Sequence, residues 1–273
     1  MKTNVVIVGG GIVGCMTAME LVGRGCKVTI VERNQIASQT SGESSWAGGG
    51  IVFPLLPWLY SDAVNVLTSY GAKSYAEICQ RLLRETGIDT DFEQSGFLLL
   101  PEFDTDAATA WCANNLVPAQ KVKASAFGVQ SLSGEDALWL PSVCQVRPPY
   151  FMQAMRKWLQ QNNVTLLEHT ELLPLQEMQT LNAWQTTHGE TITAEQFVVT
   201  SGAWSFELLK KTSAKLKIKP MRGQILLYKP EKNLYLNTGH FRYGLTMAPA
   251  SAKLVTALML GEKPLIDATP YTC

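Results

Sequence analysis

The sequence predicts an α/β fold built around a parallel sheet, and two observations predict it. Within Val5–Val31 an apolar β-branched run, a glycine cluster, a helix-period stretch and a second β-branched run follow in order. Farther along, strand-like and helix-like stretches keep alternating, punctuated by Gly or Pro. A strand–helix–strand unit implies two parallel strands joined by a right-handed crossover. The 273 residues suit one large domain or two interleaved ones. Hydrophobic residues at 46% against charged residues at 17% exclude a disordered chain. Lys+Arg and Asp+Glu both number 23, so nothing electrostatic favours nucleic acid or an anionic membrane. The longest apolar runs are broken by Gly, Glu or Arg before they could span a bilayer.

Taken in order, Val5–Val8 is read as a buried strand. A helix then runs to about Arg24, with Ile12, Cys15, Met16, Met19 and Val22 at helical spacing, and Gly25 caps it. Lys27–Val31 is the second strand, ending in Glu32. Ser38–Gly50 is a Ser/Gly-rich loop; 62–86 is helical and stops at Gly87. Gly96–Leu100 is a strand closed by Pro101, and 102–140 carries no single pattern. Pro149–Asn162 is a helix and Val164–Leu167 a strand. Residues 183–187 and 191–200 make an antiparallel element that returns to the sheet. Leu216–Lys219 and Gln224–Tyr228 are strands flanking Pro220-Met221-Arg222-Gly223. The last helix is expected over Pro249–Leu260, with proline near its start and Gly261 after it.

The six cysteines are scattered without a C-x-x-C and read as reduced thiols of a cytoplasmic protein. The three histidines lie far apart and indicate no metal site.

The chemistry lies in the glycines. Gly9, Gly11 and Gly14 form G-x-G-x-x-G between a strand and a helix, and Glu32 ends the next strand 18 residues after Gly14. In that context the glycines have separate tasks: Gly9 the tight turn, Gly11 the approach of a pyrophosphate, Gly14 close helix–strand packing. The helix N-terminus offers free N–H groups and partial positive charge. Glu32 can accept from a ribose diol and would repel a 2′-phosphate. The fingerprint alone leaves FAD and NAD open. The next segment, Glu43-Ser44-Ser45-Trp46-Ala47-Gly48-Gly49-Gly50-Ile51, favours FAD, because a flat isoalloxazine ring and a second phosphate need close backbone approach.

Beyond these motifs, the chain resembles the D-amino-acid oxidase superfamily of FAD-dependent oxidoreductases, and most nearly its glycine oxidase family. The resemblance rests on VVIVGGGIVG with Glu32, SSWAGGGIVFPLLPW, QVRPPYFMQAMRKWL, FVVTSGAWS, PMRGQILLY and TGHFRYGLTMAPASAKLV, in that order. It implies a discontinuous Rossmann-like FAD domain over 1–86, 144–214 and 233–273. A smaller antiparallel substrate domain over 87–143 and 215–232 is inserted into it. It implies that Ser44, Ser45, Ala47, Gly48 and Gly49 hold the pyrophosphate and line the flavin. Arg33 would flank the adenosine ribose and Leu172 would meet the adenine through its backbone. Ser201, Gly202 and Trp204 would close over the diphosphate side. Gly239, His240, Phe241, Arg242, Tyr243, Gly244 and Leu245 would run past the pyrimidine edge of the ring. The implied reaction is oxidative deamination of glycine or another small amine or D-amino acid. Oxygen is the acceptor and hydrogen peroxide a product, and the family serves thiamine biosynthesis.

The family normally has several dozen more residues between Lys232 and Asn233, including a W-x-G-x-R-P motif whose arginine grips the substrate carboxylate. The sequence contains no such motif. Arg242 is then the first candidate for the carboxylate and for the catalytic role, and Arg222 the second. Three explanations stand: a contracted version of a longer protein, an internal deletion that impairs the protein, or a working short variant that uses Arg242. A dehydrogenase passing electrons to another acceptor and an impaired FAD-binding remnant are the alternative functions. A deletion would leave unpaired strand edges, which favour pairing with another chain and so a homo-oligomer. Trp46 and Trp58 are read as packing residues.

Overall fold

The computed structural model describes residues 3–38, 44–54, 56–129, 136–176, 180–212, 226–231, 234–238 and 244–271, with backbone alone for 226–231, 234–238 and Pro270. Its strands and helices are β1 (Asn4–Val8), α1 (Ile12–Gly23), β2 (Lys27–Val31), β3 (Ile51–Val52), α2 (Asp62–Thr86), β4 (Phe97–Leu99), α3 (Thr105–Asn114), β5 (Gln120–Lys123), β6 (Asp136–Leu140), β7 (Cys144–Gln145), α4 (Pro148–Gln161), β8 (Thr165–Leu167), β9 (Ala183–Gln185), β10 (Thr191–Thr193), β11 (Gln196–Val199), α5 (Ser205–Leu209), β12 (Leu226–Glu231), β13 (Leu234–Thr238) and α6 (Gly244–Leu260). The stretch without a sequence pattern therefore holds α3, β5 and β6.

Six strands form the main sheet in the order β12-β13-β11-β1-β2-β8. All neighbours are parallel except β12, which folds back antiparallel on β13 with Tyr228 opposite Leu236. The strand period of two sorts the apolar side chains into separate cores. Val5, Ile7, Val28, Ile30 and Val198 face the helices α1, α2, α4 and α6. Val6, Val8, Val31, Phe197 and Val199 face Leu172, Trp184 and Leu209 around the β9–β10 hairpin. A three-stranded antiparallel sheet, β4-β6-β5, packs with α3 around a third core. Trp46 packs against the first core and Trp58 against the third.

α1 is buried on nearly every side, from Ile12 to Leu21, because it lies between the sheet and α6. α2 ends as expected at Gly87, whose φ of +72° places it in the left-handed region while its N–H donates to the Leu83 carbonyl.

The last helix begins earlier than proline placement indicates. α6 starts at Gly244, so Pro249 lies inside it. Proline has no N–H to donate to the carbonyl four residues back, which is that of Leu245. The Tyr75 hydroxyl, from α2, donates to that carbonyl instead. The compensation needs close helices: a methyl on Gly71 would lie 2.0 Å from the Thr246 carbonyl oxygen. Burial pushes the Tyr75 phenol well above its ordinary range, so it stays a donor. Tyr75→Phe is expected to cost about 1–3 kcal/mol, since it strands a buried carbonyl without changing shape. A thermal melt beside the wild type checks this.

A second clamp ties α4 to the chain after β8. Arg156 on α4 makes a bidentate pair with Glu168, at 2.5 Å and 2.8 Å. That hydrogen bond, and then the N–H of Ile36, hold the Glu168 carboxyl below its ordinary value against the opposing effect of burial. A carboxyl depressed in the folded state stabilises fully above its unfolded value and loses that contribution as pH falls through the folded one. Glu168→Gln is therefore expected to be less stable than the wild type at pH 7. The gap in urea midpoint should narrow steadily as pH falls below the ordinary carboxylate range. An unchanged gap would refute it.

Candidate functional site

The glycine turn between β1 and α1 shows why each glycine is needed. Gly9 has φ of +116°, and a methyl there would lie 2.8 Å from the Thr200 carbonyl and 2.9 Å from Ser201 Cα. A methyl on Gly14 would lie 2.0 Å from the Gly9 carbonyl oxygen. Gly11, in extended backbone, is the N-cap of α1 and offers no side chain to the exposed N–H groups. The Ile12 N–H donates to the Ser45 hydroxyl at 3.0 Å, which brings the Ser/Gly-rich segment to the helix N-terminus.

Glu32 is 6% exposed at the end of β2. Its carboxylate accepts from the N–H groups of Gly10 and Asn34, both at 2.9 Å. Each oxygen keeps further acceptor capacity for a ribose hydroxyl. The next residue, Arg33, stacks over the Trp204 ring at 4.4 Å, so two residues far apart in sequence share one edge of the site. Leu172 is buried and bridges Thr186 by backbone pairing. Ser201 and Ser205 share a hydroxyl hydrogen bond of 3.0 Å, and Gly202 sits at φ +54°.

Ser44, Ala47, Gly48 and Gly49 form an exposed turn. A methyl on Gly49 would find nothing within 4 Å, so open space lies beside that backbone. The turn leads into β3, where the Ile51 carbonyl accepts from Thr246 Oγ1 at 2.9 Å. Gly244 and Leu245 form the first turn of α6, just before Thr246. The α1 N-terminus, the 44–50 segment with the adjoining Ile51, and the start of α6 are thus linked by direct hydrogen bonds. His240, Phe241, Arg242 and Tyr243 lie outside the described residues, as do Gly239 and Arg222.

Thr200 stands in FVVTSGAWS, but the resemblance implies no role for it. Its hydroxyl lies 2.9 Å from the Gly9 carbonyl and 3.2 Å from that of Val8, bracing the turn from β11. A hydroxyl at a strand end just before Ser201-Gly202 is the available signal. Among the described residues, Cys15, Cys79 and Cys112 are buried, and burial pushes Cys79 up to about 11, which holds it as an unreactive thiol. No described helix is long and apolar enough to cross a membrane.

The arrangement fits a long diphosphate-bearing cofactor. It provides a cradle that side chains would block, a helix N-terminus, a buried carboxylate at ribose distance in sequence, and open space beside a glycine backbone.

Comparison with known proteins agrees. The family described as DAO, FAD dependent oxidoreductase, matches residues 4–233. Glycine oxidase of Pseudomonas aeruginosa is 31% identical, covering 99% of this chain and 98% of that protein. The bifunctional protein ThiO/ThiG of Nostoc sp. is 27% identical over 83% of this chain and 34% of that protein. Among solved structures, glycine oxidase from Geobacillus kaustophilus superposes with a TM-score of 0.80 at 18% identity, covering 99% of this chain and 98% of that one.

The P. aeruginosa alignment runs over 363 positions against a chain of 273, so roughly 90 positions of that protein have no counterpart here. Because both chains are covered almost end to end, the positions without a counterpart are internal to the alignment. The family match ends at Asn233, beside the Lys232–Asn233 junction. At that junction β12, from the stretch expected in the substrate domain, folds onto β13 in the main sheet.

Proposed function

We propose, on the premise that the chain belongs to the FAD dependent oxidoreductase family, that it oxidatively deaminates glycine or another small amine or D-amino acid. The observation that carries this reading is the convergence of the α1 N-terminus, the 44–50 turn and the first turn of α6 through Ser45 and Thr246.

FAD, bound non-covalently, would supply the redox chemistry: two-electron oxidation of the amine to an imine, which water hydrolyses to oxo acid and ammonia, with oxygen as the final acceptor and hydrogen peroxide as its product. The protein's own share is binding and orientation. Gly9, Gly11 and Gly14 let the pyrophosphate reach the N–H groups of α1, with Ser44, Ser45, Ala47 and Gly48 alongside. Glu32 receives the adenosine ribose, Arg33 and Trp204 flank it, and the backbone at Leu172 meets the adenine. Ser201 and Gly202 close the diphosphate side. Gly49 keeps the ring face clear. By the family resemblance, His240, Phe241, Arg242, Tyr243, Gly244 and Leu245 would run past the pyrimidine edge, where the α6 N-terminus would stabilise negative charge on the ring. Arg242 holds the substrate carboxylate. Positioning rather than proton transfer carries most of the effect.

The ThiO/ThiG relative supports a place in thiamine biosynthesis, and the unbridged thiols support a cytoplasmic setting. The antiparallel edge strand β12 supports self-association.

One observation favours a second reading, an FAD-binding protein with impaired turnover: the roughly 90 missing positions and the absent W-x-G-x-R-P. Peroxide release from purified protein with glycine in air tests the choice. Peroxide at enzymic rates supports the oxidase. Reduction of a dye without peroxide points to a dehydrogenase, and neither points to the impaired form.

A further inference from the structure

We propose that Arg156 and Glu168 are positioning residues for the adenosine half of the cofactor site, acting through the loop that follows β2. The inference rests on the FAD-binding reading above. Neither residue belongs to the motifs assigned to the cofactor.

The pair grips Ile36 by its main chain from both sides. Glu168 Oε1 accepts from the Ile36 N–H at 2.7 Å, and an Arg156 guanidinium N–H donates to the Ile36 carbonyl at 2.5 Å. Ile36 in turn backs the glycine turn, since a methyl on Gly10 would lie 2.7 Å from Ile36 Cγ1. The next N–H, that of Ala37, donates to the Gly10 carbonyl at 3.0 Å. On the other side of the pair, the His169 N–H donates to the Asn34 carbonyl at 3.0 Å. The loop that carries Arg33 and orients the Glu32 carboxylate is therefore held at Asn34, Ile36 and Ala37 together.

Two backbone conformations show that this hold is needed. Ala37 has φ of +53° and His169 φ of +51°, in the left-handed region that non-glycine residues avoid. Such residues persist where surrounding contacts over-determine them. Here the contacts are the Arg156–Glu168 fork and the backbone bonds that it aligns. Only a planar guanidinium can serve the carboxylate bidentately and the carbonyl at once; a lysine offers one point charge. Loosening the fork frees the loop to relax, and the ribose carboxylate and Arg33 lose their alignment with the glycine turn.

The test uses apoprotein of the wild type, Arg156→Lys, Glu168→Gln and Tyr75→Phe. ADP binding is measured by calorimetry and FAD binding by fluorescence, well below each Tm. The expected result is that ADP and FAD affinities fall together by about tenfold in both fork variants. At saturating FAD, their flavin spectrum and reduction potential stay those of the wild type. Tyr75→Phe, destabilised at the α2–α6 contact, keeps wild-type ADP affinity. Unchanged ADP affinity in the fork variants overturns the proposal. So does an equal loss in Tyr75→Phe, which marks a general stability effect. Wild-type protein that binds neither ADP nor FAD instead defeats the FAD-binding reading itself.

Discussion

Gly14→Ala should yield a protein without flavin. The added methyl lies 2.0 Å from the Gly9 carbonyl oxygen, and backbone cannot rotate aside as a side chain does. Either α1 slides away from β1 or the turn opens. Both move the helix N-terminus from the place where a diphosphate would meet its N–H groups. Overpacking of this kind costs about 1–3 kcal/mol, and the loss of the cradle is felt in addition. Gly49→Ala is the informative companion. Its methyl meets nothing within 4 Å, so the fold should melt as the wild type does. Its flavin affinity should nonetheless fall, because the methyl projects into the space assigned to the ring. Absorbance at flavin wavelengths after reconstitution, with a melt of each apoprotein, separates the two effects. A fully flavinylated Gly14→Ala protein would refute the placement of the diphosphate.

Arg242→Ala should keep the flavin and lose the reaction. With the W-x-G-x-R-P arginine absent, Arg242 is the first candidate to fix the substrate carboxylate. Removing one partner of such a charge pair costs about 2–5 kcal/mol, so kcat/KM for glycine should fall about thirtyfold to several thousandfold. Steady-state rates at varied glycine, on protein with an unchanged flavin spectrum, measure it. Arg222→Ala provides the comparison. If turnover survives in Arg242→Ala and vanishes in Arg222→Ala, the carboxylate role passes to Arg222.

What the sequence makes legible follows the range of the interactions. The β1–α1–β2 unit can be read because its glycines, strand residues and Glu32 act within some thirty positions. The geometry at Gly9 and Gly14 matches the task that each spacing implies. Pro249 misleads because proline favours a helix start, and what lets it sit inside α6 is the Tyr75 hydroxyl, 170 positions from the Leu245 carbonyl that it satisfies. The roles of Thr200 and the Arg156–Glu168 fork stay hidden for the same reason: their partners, Gly9 and Ile36, become neighbours only after the parallel sheet forms. The pairing of Arg33 with Trp204 is likewise created by the fold, although each residue stands in a recognisable segment. The hairpin of β12 on β13 was not expected, because Leu226–Glu231 lies in a stretch that the family pattern gives to the other domain.

The most direct test of the central claim is the visible spectrum of the purified protein before and after glycine is added without oxygen. The account predicts a flavin spectrum that bleaches on addition. A flavin spectrum that no small amine or D-amino acid bleaches would contradict amine oxidation, and a colourless protein that regains no flavin on reconstitution would contradict the FAD site.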